Sequence, residues 1–260
     1  MIDERLTTAL HVDALRRSDL HAEHEPHVLF QASTIAALLD GAYDGDVSFR
    51  ELAEHGDHGL GTLNGLDGEM IALDGRFFRA DIDGDINEID ERAKTPFAVV
   101  VPFAASVELS IDEPLDQEPL LARLDEQLPG GTTACALRLD GEFELVRARS
   151  VPRQRPPYRP LTEVVRDQRV FELRDVRGTI VGFRFPDYSE GIEVSGYHLH
   201  FISDDRARGG HVLGCRSKAL SAKLDPSSDL HVELPPGVDL SQPHLDLSTS
   251  DALERVEHEG

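Results

Sequence analysis

The run FAVVVPF, Phe97 to Phe103, limits the possible folds more than any other stretch of this chain. Its seven residues are apolar throughout, with neither the 3.6-residue period of an amphipathic helix nor the alternation of a half-wet strand. A run of this kind is a strand buried on both faces. It follows a segment of a different kind: GTLNGLDGEMIALDGRFFRA, Gly61 to Ala80, alternates polar and apolar residues and carries Leu-Asp-Gly twice, at 66–68 and 73–75. Asp-Gly between alternating runs signals a tight turn, so this part reads as a β-meander.

Helices are short and marked by their ends. STIAALLDGAYDG, Ser33 to Gly45, opens on a capping residue, is apolar at Ile35, Leu38 and Leu39, and stops at Gly41. SFRELAEHG, Ser48 to Gly56, repeats the form, with Ser48 and Glu51 spaced as a capping box. Pro119 to Leu128 has helical period, and ACALRLDGEFELVRARSV, Ala134 to Val151, reads as a hairpin around Asp140-Gly141. PRQRPPYRPL, Pro152 to Leu161, has four prolines in ten residues and reads as a linker. Beyond it a capped helical segment precedes Gly178-Thr-Ile-Val-Gly182, which matches Gly61-Thr-Leu-Asn-Gly65 after the earlier helices. The expectation is an α+β fold of two similar αβ units whose mixed or antiparallel sheets pack together. Its boundaries are a loosely held, His- and Glu-rich leader over 1–25, an N-terminal unit over 26–151, the linker over 152–161, and a C-terminal unit over 162–260.

The chemistry concentrates in GYHLHFISDDRARGGH, Gly196 to His211. Alternation in a strand places His198 and His200 on one side, and the polar, glycine-ended Ser203–Gly210 reads as a hairpin loop that returns His211 beside them. Three imidazoles then converge on one point with a fourth position open, the arrangement of a catalytic rather than a structural zinc. Cys215 falls on the same side as His211 by alternation and is either a fourth ligand or a core residue. His11, His21, His24 and His27, near the start, read as a solvated histidine-rich stretch.

Charge excludes several partners. With 49 acidic against 26 basic residues and a formal charge of -23, the chain repels nucleic acid and anionic lipid, whose binding depends on positive charge meeting phosphate. Only Lys94, Lys218 and Lys223 are lysines, and the acidic residues are spread along the whole chain. That pattern suits a halophilic surface, on which salt screens carboxylate repulsion. Cys135 and Cys215 lie far apart and read as buried free thiols. With no signal peptide and no long apolar run, the expected location is the cytoplasm.

The run PDYSEGIEVSGYHLHFISDDRARGGHVLGC, together with GDHGLGTLNGLDGEMIALDG and TPFAVVVPF, resembles the α-acetolactate decarboxylase family. The blocks lie in order, and the likeness extends over residues 30–257. This resemblance implies that His198, His200 and His211, on a β-hairpin of the second unit, ligate Zn2+. It also implies that Glu69 lies at the metal, that Arg149 points into the pocket, and that a glutamate in the tail, Glu257 or its alternative Glu254, folds back over the site. The reaction implied is decarboxylation of 2-acetolactate (2-hydroxy-2-methyl-3-oxobutanoate) to acetoin and CO2, by a homodimer acting on a small-molecule substrate.

Overall fold

A computed structural model of the chain describes residues 11–15, 27–128, 133–227 and 229–234. The chain begins with β1 (His11–Leu15), β2 (Val28–Ala32), α1 (Ile35–Leu39), β3 (Val47–Ser48), α2 (Phe49–Ala53) and β4 (His58–Thr62). It continues through β5 (Glu69–Leu73), β6 (Arg76–Ala80), β7 (Ile86–Glu88), β8 (Lys94–Thr95) and β9 (Ala98–Val101). Next come β10 (Val107–Ile111), β11 (Leu115–Asp116), α3 (Gln117–Asp125), β12 (Ala134–Ser150) and α4 (Leu161–Val164). The last strands are β13 (Arg169–Phe185), β14 (Gly196–Ser203), β15 (Gly209–Ser227) and β16 (Asp229–Glu233).

These elements make an α+β fold around two main sheets. One has eight strands in the order β1-β16-β2-β9-β4-β5-β6-β7, and the other runs β10-β15-β12-β13-β14 with β11 also paired to β15. The first sheet is mixed, because β16 runs parallel to both β1 and β2 while the remaining pairs are antiparallel. In the second sheet β14 pairs back onto β15 through residues 200–202 and 209–211, so β12, β13, β14 and β15 close into a ring.

Burial on both faces of the Phe97–Phe103 run is what fixes the layers. Phe97, Val99 and Val101 pack with Leu60 and with Ala136 and Phe183 of the second sheet. Ala98 and Val100 turn the other way, against Phe49 and Leu52 of α2. Each such buried Val, Leu or Phe side chain contributes roughly 1.5–3 kcal/mol. On the far side of the second sheet, Leu120 and Leu124 of α3 cover Leu137, Leu139 and Phe143. The helix ends follow their caps: Ser48 and Glu51 form the reciprocal capping box on α2, whereas α1 is capped by Thr34, one residue past Ser33. No helix among the described residues is long and apolar enough to cross a membrane.

Several expectations are corrected. Ala134–Ser150 is one continuous strand, not a hairpin. Asp140-Gly141 makes no turn there because Gly141 sits between two strands, opposite Gly178 and Leu220, and a Cβ on it would lie 2.3 Å from the Ala219 carbonyl oxygen. Here glycine serves close approach of backbones. The two Gly-Thr-x-x-Gly segments also differ in setting: the first runs off the end of β4, the second lies wholly inside β13. Sheet membership does not divide at residues 151/152 either, since β10, β11 and β12 pair with β15, and β16 returns to the first sheet. Residues 152–160 are docked rather than free, with Gln154 N–H donating to the Gly65 carbonyl (2.6 Å) and Tyr43 Oη to the Arg159 carbonyl (2.8 Å). Within the segment read as a loose leader, His11–Leu15 forms a strand on β16. His27 is exposed, as read, and its Nδ1 bonds to the buried carboxylate of Asp225.

One buried histidine ties the sheets together. His58 of β4 is 2% exposed, and its Nε2 lies 2.9 Å from the Leu137 carbonyl of β12, which can only accept, so Nε2 carries the proton. Its ring stacks on Phe103 at 4.4 Å. Burial pushes its pKa from 6.5 down to about 4. As pH falls from 6.5 toward 4 the unfolded chain takes up a proton that the folded chain refuses, so stability present above 6.5 is lost, by roughly 3 kcal/mol. Urea unfolding of the wild type and His58→Gln at pH 7 and pH 4 is expected to show the variant losing less stability between the two. Equal losses would refute the assignment.

Candidate active site

The site arises from strand register. Residues directly opposite one another in an antiparallel pair point to the same face. Arg149 of β12 faces His211 of β15, and His211 in turn faces His200 of β14. These pairings set Arg149, His211 and His200 in one row across three strands, and alternation adds His198 two residues along β14. The face they share is the one turned toward the first sheet.

All three histidines are buried, at 6%, 1% and 2% exposure for His198, His200 and His211. Each offers a ring nitrogen within 4.8 Å of those of the other two, and the ring centroids are 5.1 to 5.4 Å apart. His200 Nδ1 lies 2.8 Å from the Met70 carbonyl oxygen of β5. That oxygen can only accept, so Nδ1 bears the proton and Nε2 keeps its lone pair. This Nε2 is buried and makes no hydrogen bond. Burial, and then His198 nearby, hold the His200 pKa well below its ordinary value, so the imidazole stays neutral. A neutral ring with an orphaned, inward lone pair and a carbonyl behind it is the form of histidine that binds metals.

Glu69 enters from the opposite sheet, at the start of β5, and is 6% exposed. Arg149, 4% exposed, donates from Nη1 to Glu69 Oε1 at 3.1 Å. Glu69 Oε2 lies 3.6 Å from His200 Nε2. The structure thus brings together five of the residues singled out from the sequence: His198, His200, His211, Glu69 and Arg149. Glu254 and Glu257 lie outside the described residues. An open pocket reaches this group, its other wall made of apolar side chains that include Ile35, Leu38, Leu66 and Phe97.

Cys215 does not join the histidines. The pairing Arg149–His211 and Ala148–Val212 is followed by Arg147–Gly214, so Leu213 is an extra residue in a β-bulge. One extra residue reverses the alternation. Cys215 therefore packs with Val146, Ala148 and Val212 in the core of the second sheet, where burial pushes its thiol up to about 12. The sequence reading also missed the Met70 carbonyl and the apolar wall. A backbone carbonyl has no residue signature, and the wall residues carry ordinary core periodicity.

The comparisons with known proteins agree with one another. Residues 29–247 match the family model described as alpha-acetolactate decarboxylase. A protein of Methylococcus capsulatus named alpha-acetolactate decarboxylase is 48% identical over 212 residues, 82% of each chain. One of the same name from Klebsiella aerogenes is 41% identical over 234 residues, 90% of each. The crystal structure of alpha-acetolactate decarboxylase from Bacillus subtilis strain 168 superposes with a TM-score of 0.85 at 36% identity, covering 88% of this chain and 99% of that one. A model match across most of the chain, and relatives of this identity and coverage, establish that the chain belongs to the alpha-acetolactate decarboxylase family of carboxy-lyases.

Proposed function

We propose that the chain decarboxylates 2-acetolactate to acetoin and CO2 with a zinc ion held by His198, His200 and His211. The observation that supports this most is the cluster of three buried imidazoles, that of His200 held neutral, facing a carboxylate and a guanidinium in one cavity. Three nitrogen ligands leave a position open for substrate, and imidazole suits zinc among the common divalent ions. When bound, such an ion supplies a Lewis acid that draws charge from the ketone of a β-keto acid.

The chain's own groups do the rest. Arg149, bonded to Glu69, lines the cavity, where its guanidinium suits a substrate carboxylate. Loss of CO2 leaves an electron pair on carbon that must take a proton. Glu69, whose carboxylate lies between Arg149 and the imidazoles, takes up a proton from solvent and delivers it to that carbon. The apolar wall accommodates the methyl groups. Zinc content by elemental analysis, measured beside acetoin release, tests the reading: about one zinc per chain with turnover is expected. Full turnover in the metal-free protein would overturn it.

The tail belongs to the same proposal. If Glu257 folds over the cavity as an acid or base, deleting residues 254–260 leaves zinc content and melting temperature nearly unchanged while turnover falls at least roughly tenfold, toward the hundredfold typical of such groups. Glu257→Gln reproduces the loss and Glu254→Gln does not. A truncated chain that turns over at the full-length rate would show the tail to be dispensable.

A further inference from the structure

The turn joining the two histidine strands is fastened to the other sheet. Arg208, just before β15, donates from Nη1 to Asp85 Oδ1 at 2.6 Å and from Nη2 to the Asp83 carbonyl at 2.7 Å. Its guanidinium lies 5.4 Å from the centre of the Phe171 ring. Backbone bonds flank these contacts: Gly209 N–H donates to the Gly84 carbonyl at 3.0 Å, and Ile86 N–H to the Ala207 carbonyl at 3.1 Å. The Asp81–Asp85 loop that receives them is itself ordered, since Asp81 Oδ1 accepts from Asp83 N–H at 2.9 Å and from Asp85 N–H at 3.1 Å. Gly84, at φ +80°, lets the loop lie flat on Phe171, for a Cβ there would stand 2.4 Å from the ring.

This strap continues the row that holds Glu69. Glu69 is paired with Ala80, Ala80 with Ile86, and Ile86 bonds to the turn that leads into His211. The circuit closes through Arg149, which bonds Glu69 and faces His211. Resting on the metal reading given above, we propose that Arg208 is a positioning residue: by clamping the histidine hairpin to the Asp81–Asp85 loop, it sets the separation between the imidazoles of one sheet and Glu69 of the other. It touches neither metal nor substrate; it acts through His211 and β7.

The test uses the full chain and three substitutions, Arg208→Ala, Arg208→Lys and Asp85→Asn. Zinc affinity is measured against a competing chelator, and Co2+ is loaded in place of zinc to read ligand geometry from its visible absorption. Both Arg208→Ala and Asp85→Asn are expected to weaken zinc binding by about tenfold or more and to alter the Co2+ spectrum. Combining them adds little further, since both break one clamp. Arg208→Lys, which keeps the charge, restores part of the affinity. The melting temperature of the metal-free protein falls by less than about 3 °C, because an ion pair this exposed stabilises little by itself. Wild-type affinity and spectrum in Arg208→Ala and Asp85→Asn would overturn the proposal alone. A wild type that binds neither metal would overturn the metal reading, and this inference with it.

Discussion

His200→Ala is expected to yield a folded protein that retains no stoichiometric zinc and whose acetoin release falls by more than about a thousandfold. The ring it removes is 1% exposed and held through Nδ1 by the Met70 carbonyl, with a ring nitrogen within 4.8 Å of those of the other two imidazoles. Two remaining histidines on separate strands are a poor cage for a divalent ion, and a Lewis acid is worth several kcal/mol at the reacting carbonyl. Because truncating a buried ring also opens a void, circular dichroism and the melting temperature of the metal-free variant are measured beside metal content. His211→Ala, on the neighbouring strand, serves as the companion. A well-folded His200→Ala that keeps one zinc per chain and wild-type turnover would remove these histidines from the mechanism.

Glu69→Gln should separate binding from chemistry. Glutamine fills the same space and can still accept from Arg149, but it carries no charge and cannot take up a proton. Turnover is expected to fall between about a hundredfold and ten-thousandfold, the range over which positioned acids and bases act. The KM does not rise, because Arg149, relieved of its internal counter-ion, is freer to hold the substrate carboxylate. Stability drops as well, since neutralising one member of a buried ion pair costs about 3–5 kcal/mol. Arg149→Leu is expected to do the opposite to binding and raise KM. Steady-state kinetics at saturating zinc distinguish the two, and an unchanged kcat in Glu69→Gln would show that the proton travels by another route.

What the sequence disclosed and what it withheld have physical reasons. Phe97–Phe103, the Asp-Gly turn at 74–75 and the Ser48–Glu51 box are local, and each took the form its own residues dictate, whereas Asp67-Gly68 follows a turn made by residues 64–66. His198, His200 and His211 were legible because alternation and a short polar loop are enough to bring them together. The misreadings all concern pairing. Asp140-Gly141 looks like a turn until two neighbouring strands require a glycine between them. Cys215 counts onto the wrong face because a bulge leaves no mark on composition. Glu69 and Arg149 follow no local period; they came from the likeness to a family, and their contact is made between sheets.

The two halves of the site are also separated by very different lengths of chain. His200 and His211 face each other across a short turn, whereas the Arg149–Glu69 bond joins residues 80 apart. Closing the longer loop costs roughly 2 kcal/mol more chain entropy than closing the eleven-residue one, and it requires that both sheets already exist. During folding the imidazoles can therefore assemble on their own hairpin while the carboxylate and guanidinium are still apart. On the zinc reading proposed above, a nascent chain of this kind gathers its three imidazoles before it gathers the groups that act on substrate.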